Sequence, residues 1–519
     1  MSERQHICML AAENAAIPGA KVGGIGDVVR DIPLSLAAHG AEVSVVIPAY
    51  GLFHQAADAT LLQHVSVPFA GATLSAAVYE RFIGRDTGVR YFVLEADTFS
   101  ACGAGCVYCN DPDHEPFATD ATKFALFSLA ALRCIQSGVL GPVDVLHLHD
   151  WHSALCAVLI EYAPEFDDLK SLRTVFSIHN LAMQGIRPFA GHGSSLNAWY
   201  PELIYDQDRL ADPRWSDCIN PMVSAIRLCH KLHTVSPTYA EEIVSPNNVD
   251  SGFHGGEGLE QDLQIAFNEG RLSGIINGID YALSPPAKHP WPPLINRISN
   301  RVLGWLGESE PMRSVDYLAH QRTLRWCDSS KPEHVLTSIG RLTEQKMALM
   351  LEQVSPGVSA LEAILKELDK GVFILLASGS AELENACQKI AAHHENFLFL
   401  NRFDAEVADW LYASGDLFLM PSSFEPCGIS QMMAMRCGQP CLVHAVGGLK
   451  DTVVDNHDGF HFNGGSRTEK AQHLVARLSD VLQLRENSPD AYARISEAAR
   501  EKRFTWKDSA ETYQKVLYS

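Results

Sequence analysis

Chemistry in this sequence gathers in a few short clusters that combine glycines, histidines and charged side chains. The first is Lys21-Val22-Gly23-Gly24-Ile25-Gly26-Asp27, which follows a short apolar run and precedes an amphipathic stretch. Glycines let the backbone approach phosphate oxygens, and a helix start offers unpaired N–H donors. Lys21 adds a point charge suited to a diphosphate. An ordinary strand-to-helix turn would read the same way. Next comes His147-Leu148-His149-Asp150-Trp151-His152, at the carboxyl end of a predicted strand. Open α/β sheets collect their ligands at that edge. Three histidines and an aspartate could ligate zinc. Strand alternation instead sends His147 and His149 to one face with Trp151, and turns Asp150 and His152 elsewhere. That favours Asp150 binding sugar hydroxyls with Trp151 packed beneath.

Ser177-Ile178-His179-Asn180 ends another strand and brings two polar residues to the same kind of edge. Alone, such a histidine reads as a satisfied structural residue. Gly340-Arg341-Leu342-Thr343-Glu344-Gln345-Lys346 closes a later strand. Arg341 and Lys346 bracket one turn and could clamp a diphosphate from the side opposite Lys21; the bland alternative is two solvated charges. In Phe424-Glu425-Pro426-Cys427-Gly428-Ile429-Ser430-Gln431, Gly428 is expected to open a helix whose amides hold a pyrophosphate or ribose. Glu425 then stands at the cleft with its carboxylate free for glucose hydroxyls. Cys427 has no companion base nearby and reads as a packed or hydroxyl-contacting thiol. One further cluster, Cys102-x-x-x-Cys106-Val107-Tyr108-Cys109, has the spacing of a radical-SAM iron–sulfur loop. No barrel pattern follows it, which argues against a cluster, and against zinc with His114.

The elements that must hold these residues are strands alternating with helix-length segments, the pattern of parallel βαβ units. Expected strands are Ile7–Ala12, Glu42–Pro48, Val143–Leu148, Thr174–Ile178 and Leu232–Ser236. A second series runs Val335–Ile339, Val372–Ala377, Phe397–Leu400, Leu417–Pro421 and Cys441–His444, with helices such as Ala121–Ser137, Ser153–Glu161 and Met222–His230 in the first half. Between the two series, Asn277 to Ser330 contains Ser284-Pro285-Pro286 and Pro290-Trp291-Pro292-Pro293 and is expected to be a linker. A chain of 519 residues exceeds one hydrophobic core. The reading is α/β, with two doubly wound parallel-sheet domains facing across a cleft.

Net charge is −21, from 41 basic and 62 acidic residues, which disfavours a nucleic-acid partner. Any anion must be held by a few placed cations. No apolar run approaches the roughly 20 residues needed to cross a bilayer, and Ile7–Ala12 is too short for a secretory signal. Thirteen scattered cysteines then point to reduced thiols in a cytoplasm, not to a disulfide framework.

Taken in order, Lys-x-Gly-Gly-x-x-Asp-Val, His-Asp-Trp-His, Ile-His-Asn, Val-Ser-Pro-Thr-Tyr-Ala, Asn-Gly-Ile-Asp, Arg-Leu-Thr-x-Gln-Lys and Glu-Pro-Cys-Gly-x-x-Gln resemble the bacterial glycogen synthases and plant starch synthases. Gly447-Gly448-Leu449-x-Asp451-Thr452-Val453 and Phe504-Thr505-Trp506 extend the resemblance over essentially the whole chain. It implies a GT-B fold of two Rossmann-like domains, 1–276 on the acceptor side and 277–504 on the donor side. A C-terminal helix, 505–519, is expected to cross back to the first.

The resemblance also implies glucose transfer from ADP-glucose to the non-reducing end of an α-1,4-glucan, with retention and without metal or other cofactor. Lys21, Gly23, Gly24, Arg341 and Lys346 then hold the diphosphate. Asp150, His179, Asn180, Asn277 and Glu425 contact the transferred glucose, with Asp27, Cys427 and Gly428 also lining the substrate site. Phe403 takes the place of an aromatic that stacks on adenine, and Ser430 that of a threonine near the phosphates. Tyr108 corresponds to a sugar-site tyrosine. Glu425, His179, Asp150, Lys346 and Arg341 form the implied catalytic set. The sequence departs from the family at Tyr281-Ala282-Leu283-Ser284-Pro285, at His320-Gln321 and at Met347, where the family has glycine. Those changes leave two alternatives in view: the same transferase using UDP-glucose, and a catalytically silent glucan-binding protein. Retention of Lys21, His179, Arg341, Lys346 and Glu425 together speaks against the silent protein.

Overall fold

The structure is a computed structural model that describes residues 4–84, 87–308 and 311–519. The chain divides into two compact units. Unit 1 comprises Met1–Pro246, Gly255–Gly278 and Thr505–Ser519; unit 2 comprises Asn247–His254 and Ile279–Phe504.

Unit 1 is built on a nine-stranded sheet. In chain order its strands are β1 (His6–Leu10), β2 (Glu42–Pro48), β3 (Ala59–Phe69), β4 (Ala72–Arg81), β5 (Val89–Glu95), β6 (Val145–His149), β7 (Arg173–Ile178), β8 (Lys231–Thr234) and β9 (Leu272–Gly274). Their spatial order is β9-β8-β7-β6-β1-β2-β5-β4-β3. Pairing is parallel except at one edge, where β3 and β4 form an antiparallel hairpin and β4 runs antiparallel to β5. β1 and β6 are buried along their whole length, as strands covered by helices on both faces must be. β3 is half exposed, and its alternation of buried and exposed residues marks the sheet's edge. The antiparallel hairpin is absent from the sequence reading.

Unit 2 carries a six-stranded, wholly parallel sheet. Its strands are β10 (His334–Leu342), β11 (Gly371–Gly379), β12 (Phe397–Leu400), β13 (Leu417–Met420), β14 (Cys441–His444) and β15 (Gly459–Phe462), in the order β12-β11-β10-β13-β14-β15. Leu336, Phe373, Leu375, Phe397, Leu419 and Leu442 lie in its core.

Both sheets wind outwards from a central strand and then reverse. In unit 1 the chain leaves β1 for β2 and β5, and returns to the other side of β1 as β6. In unit 2 it leaves β10 for β11 and β12, and returns as β13. The crevice beyond the carboxyl ends of the two strands flanking such a reversal is where open α/β sheets bind ligands. Glu13 and the glycine cluster follow β1, and Asp150 follows β6. Arg341 lies at the end of β10 and Lys346 just beyond it, while Glu425 follows β13. Topology alone therefore brings the charged residues together within each unit.

The expected linker is not one. It contains two long helices, Trp291–Glu308 and Ser314–Cys327, that belong to unit 2. Pro292 and Pro293 fall in the first turn of the former, where a backbone N–H has no intrahelical partner to lose. Leu294, Ile295, Ile298, Val302 and Trp305 supply its buried stripe. Prolines here start a helix.

The last residues complete unit 1. On the helix Trp506–Val516, Trp506, Ala510 and Tyr513 enter the core of unit 1, followed by Leu517 and Tyr518. The Trp506 indole donates to Asp31 at 3.2 Å, Arg173 to the carbonyl of Leu517 at 2.7 Å, and Ser509 to that of Ile276 at 2.7 Å. Truncating Trp506 to alanine is expected to cost unit 1 about 3–5 kcal/mol, the usual range for a buried tryptophan. Hydrogen-exchange protection of the β6 amides measures that loss. Unchanged protection would detach the terminal helix from the stability of the sheet.

Candidate active-site clusters of the two units

In unit 1 the glycine cluster runs into the helix Gly24–Ala38, with Gly23 as its N-cap. The amides of this loop already hold an anion. Glu13, a buried residue that the sequence reading overlooks, accepts the N–H of Val22 and that of Gly23, the latter at 2.6 Å. Burial pushes the Glu13 carboxyl up, while the N–H groups of Gly23, Val22 and Gly26 pull it back down. Gly23 is thus engaged within the chain, whereas the space a side chain would take at Gly24 is open. Lys21 is half-exposed and ion-paired with Asp27 at 2.7 Å. The signal for Glu13 was its place just after β1, at the reversal of the strand order.

Across the reversal, Asp150 sits at φ +50°, a strained position for a non-glycine residue. Its Oδ1 accepts the N–H of His179 at 2.7 Å. Burial raises its carboxyl to about 7, against the lowering effect of the His179 and Asn180 amides and with the Glu13 charge adding to the rise. Tyr108 lies against His152 with its ring tilted by 47° and the ring centroids 5.5 Å apart. Its hydroxyl is raised by burial and by the charges of Glu13, Asp150 and Asp120. Asn277 is buried, and its Oδ1 has no partner among the described residues. A buried amide oxygen left bare is costly unless a ligand supplies a donor. Asn180 is less buried, and its Oδ1 caps the N–H of Ala182. Structure thus gathers Asp150, His179, Asn180 and Tyr108 at one edge of unit 1.

Trp151 does not lie on the strand. It begins the helix Trp151–Tyr162, because the chain turns sharply at Asp150, and so the expected alternation stops at His149. Trp151 still forms a floor, packed edge-on against Phe117 and Phe124. Gly185, at φ +67°, presses on it so closely that a Cβ would stand 2.2 Å from the indole.

Among the described residues the histidines of β6 belong to no cluster with metal-ligand spacing; His147 bonds two hydroxyls, and His149 bonds another histidine. His233 Nε2 faces the carbonyl of Ile275 at 3.4 Å and so carries the proton. Its Nδ1 therefore accepts from Ser177 at 2.7 Å, and the serine oxygen in turn accepts from His147 Nε2 at 2.6 Å. His147 Nδ1 then accepts from the Tyr518 hydroxyl at 2.8 Å. One carbonyl fixes the sense of the whole chain. Separately, His149 Nδ1 meets His179 Nε2 at 2.9 Å. Burial lowers all of these rings and His152: His179 to about 4, His152 and His233 to about 3, His147 and His149 well below the usual value.

The cysteine cluster departs from expectation. Cys102 and Cys109 are joined in a disulfide, seven residues apart, and the Cys106 thiol donates to the carbonyl of Tyr108 at 3.1 Å. The other eleven cysteines are free thiols. The turn that carries Tyr108 brings the two sulfurs together, which spacing alone did not reveal.

In unit 2 a cavity at the strand ends is lined by Gly340, Arg341, Lys346, Met347, Met420 and Ser422. Arg341 is exposed, and its guanidinium makes no hydrogen bond or ion pair among the described residues. Lys346 lies on the helix Glu344–Leu351 and is ion-paired with Glu425, to which the Ser422 hydroxyl also donates at 3.0 Å. The carboxylate expected to be free is therefore held at one oxygen, Oε2, by the lysine and the serine together. Gly428 does not open a helix; the helix runs Ser430–Arg436. Gly428 takes φ +78°, and Gln431 Nε2 donates to the carbonyls of Cys427 and Gly428 at 3.1 and 3.0 Å, fastening the turn. Cys427 is buried, as a packed thiol should be. Ser430 begins the helix and bonds the Tyr412 hydroxyl. Phe403 is 78 % exposed, a bare aromatic face between β12 and the helix Ala405–Ser414.

Comparison with known proteins follows this division. Residues 6–265 match the starch synthase catalytic domain, and residues 328–502 match the glycosyl transferases group 1. The chain is 32% identical over 530 residues to a glycogen synthase of Streptococcus agalactiae, covering 98% of each. It is 33% identical over 526 residues to one of Streptococcus uberis, again covering 98% of each. The catalytic domain of starch synthase IV from Arabidopsis thaliana, solved bound to ADP and acarbose, superposes with a TM-score of 0.77 at 26% identity, over 99% of both chains.

Acid stability follows from the buried rings. Each has a folded pKa below its unfolded value near 6.5. Above pH 6.5 neither state binds the protons. Below it the unfolded chain takes them up and the folded unit does not, so stability falls by about 1.4 kcal/mol per pH unit for each ring. The unfolding temperature is expected to drop steeply from pH 6.5 to 5. A flat profile across that range would mean that the rings are charged in the folded protein.

Proposed function

We propose that this chain, which belongs to the glycogen and starch synthase family of glycosyltransferases, moves glucose from ADP-glucose to the non-reducing end of an α-1,4-glucan with retention. Its fold is GT-B, α/β in both units. The observation that carries the reading is the cluster at the strand reversal of unit 2. There Arg341 stands unpaired beside the Lys346–Glu425 ion pair, at the mouth of a cavity. The related Arabidopsis domain was solved with ADP and acarbose, which supports an adenine nucleotide as donor. Cytoplasm is the assigned compartment; no helix among the described residues is long and apolar enough to cross a membrane.

Each residue has a role in this reading. Breaking the bond between the anomeric carbon and phosphate leaves positive charge on the sugar and negative charge on the departing diphosphate. Arg341 and Lys346 neutralise the latter, and Lys21 is the corresponding cation of unit 1. Lys346 exchanges Glu425 for phosphate oxygens as donor binds. The carboxylate so released accepts hydrogen bonds from glucose hydroxyls. Asp150, His179, Asn180, Asn277 and Tyr108 are assigned to sugar, Phe403 to the face of adenine and Ser430 to the phosphates. The acceptor hydroxyl attacks the face the diphosphate is leaving, forming the new glycosidic bond, and the leaving phosphate takes its proton.

UDP-glucose is the second reading, favoured by Met347: where the family has glycine, a thioether now lines the cavity with Met420. A glucan-elongation assay with both donors decides between them. Faster transfer from ADP-glucose is expected, and faster transfer from UDP-glucose would reverse the assignment.

Substituting Glu425→Ala is expected to lower turnover by about 100-fold or more, the scale of losing one transition-state partner. Nucleotide binding, followed by calorimetry, should stay nearly unchanged. Equal loss of both would make Glu425 structural.

A further inference from the structure

We propose that His149 is a positioning residue that fixes the tautomer of His179 and so turns its Nδ1–H outward as a hydrogen-bond donor to the sugar. The inference rests on the glucosyl-transfer reading only for what His179 meets; the tautomer itself rests on geometry.

His149 is completely buried, and its ring bonds the site residue His179. Its ring is clamped in a three-ring stack, with His147 at 4.4 Å and 22° on one side and His179 at 5.2 Å and 23° on the other. Its backbone is pinned by Ser153, which accepts the N–H of His149 at 2.8 Å and donates to its carbonyl at 3.2 Å. Neither the plane of the ring nor the position of Nδ1 has freedom left.

Two proton arrangements satisfy the bond between His149 Nδ1 and His179 Nε2. In one, His149 carries its proton on Nε2 and accepts from His179. That buries an N–H with no acceptor, because His149 Nε2 has no partner among the described residues. Orphaned buried N–H groups are among the rarest features of folded proteins. In the other, His149 Nδ1–H donates and His179 Nε2 accepts. His179 is then protonated on Nδ1. That nitrogen has no bond among the described residues and is not one of the buried unpartnered atoms, so it faces the site edge where Asp150 and Asn180 lie. Both rings stay neutral because burial lowers them, so a second proton does not blur the choice.

The neighbouring chain from Tyr518 through His147, Ser177 and His233 already contains all its donors and acceptors. None of its bonds reaches His149 or His179. The pair is set by its own orphan nitrogen. Partners that orient a working histidine in this way typically carry a 10–100-fold effect when removed.

The test compares His149→Phe, which keeps the stacked ring and loses the donor, with His149→Asn, whose amide can present a donor near the place of Nδ1. Full-length protein labelled with 15N-histidine, with His179 assigned by its loss in His179→Ala, reports the tautomer. The wild type should show the proton on His179 Nδ1. H149F should move it towards Nε2 and lower kcat roughly 10–100-fold with little change in donor KM. H149N should keep the Nδ1 signature and stay within about threefold of wild-type kcat. A wild-type proton on His179 Nε2, an unchanged tautomer in H149F, or equal losses in H149F and H149N would each overturn the proposal. If no nucleotide-glucose is turned over by the wild type, the functional reading fails while the tautomer measurement still decides this one.

Discussion

With one exception, the charges at the two strand reversals are balanced before any ligand arrives, and that requirement shapes both units. A low-dielectric edge cannot hold a bare ion cheaply. In unit 1 the amides of Val22 and Gly23 are neutralised by Glu13, and Lys21 by Asp27. In unit 2 Lys346 is neutralised by Glu425. These contacts make the resting state of the family motif a closed electrostatic system. An incoming diphosphate would compete with carboxylates already seated, so its affinity is a difference between two pairings and not the sum of new ones. Arg341 is the exception. It lies exposed in water, where an unpaired guanidinium costs little.

Motif-level features were legible because spacing encodes them. β2, β12 and β14 fall on the predicted residues, since short runs such as Phe397–Leu400 are apolar throughout and bounded by polar turns. Arg341, Lys346, Glu425 and Asp150 could be singled out as candidates because each lies at or just beyond the carboxyl end of a strand. Other features depend on partners distant in sequence. Glu13 reads as one acid among sixty-two until the fold lays it against the glycine loop. The prolines around Trp291 read as breakers because their effect depends on whether they fall in a first turn or a later one. Trp151 was placed by strand alternation, which ended two residues before it. The Cys102–Cys109 pair needed the turn between them, and its ring Tyr108, to be folded.

The histidines illustrate how a buried polar network can be read from one fixed acceptor. A carbonyl cannot donate, so Ile275 dictates the proton position on His233, and each partner follows in turn out to Tyr518. Such a network is neutral, fully paired along its length and intolerant of a partner that both donates and accepts differently. It ties β6, β7 and β8 to a residue near the end of the chain, and it leaves the pair of His149 and His179 to be governed locally.

That tie also has a consequence for biosynthesis. Unit 1 is begun by the first strand and finished by Thr505–Ser519. A ribosome working at about 5–20 residues per second needs on the order of 10 to 45 seconds to make residues 279–504 in between. Throughout that interval the nascent sheet exists with the imidazoles of β6 and β8 uncapped and the seat of Trp506 open to water. The early half of the polypeptide must therefore wait, partly hydrated, for its own tail.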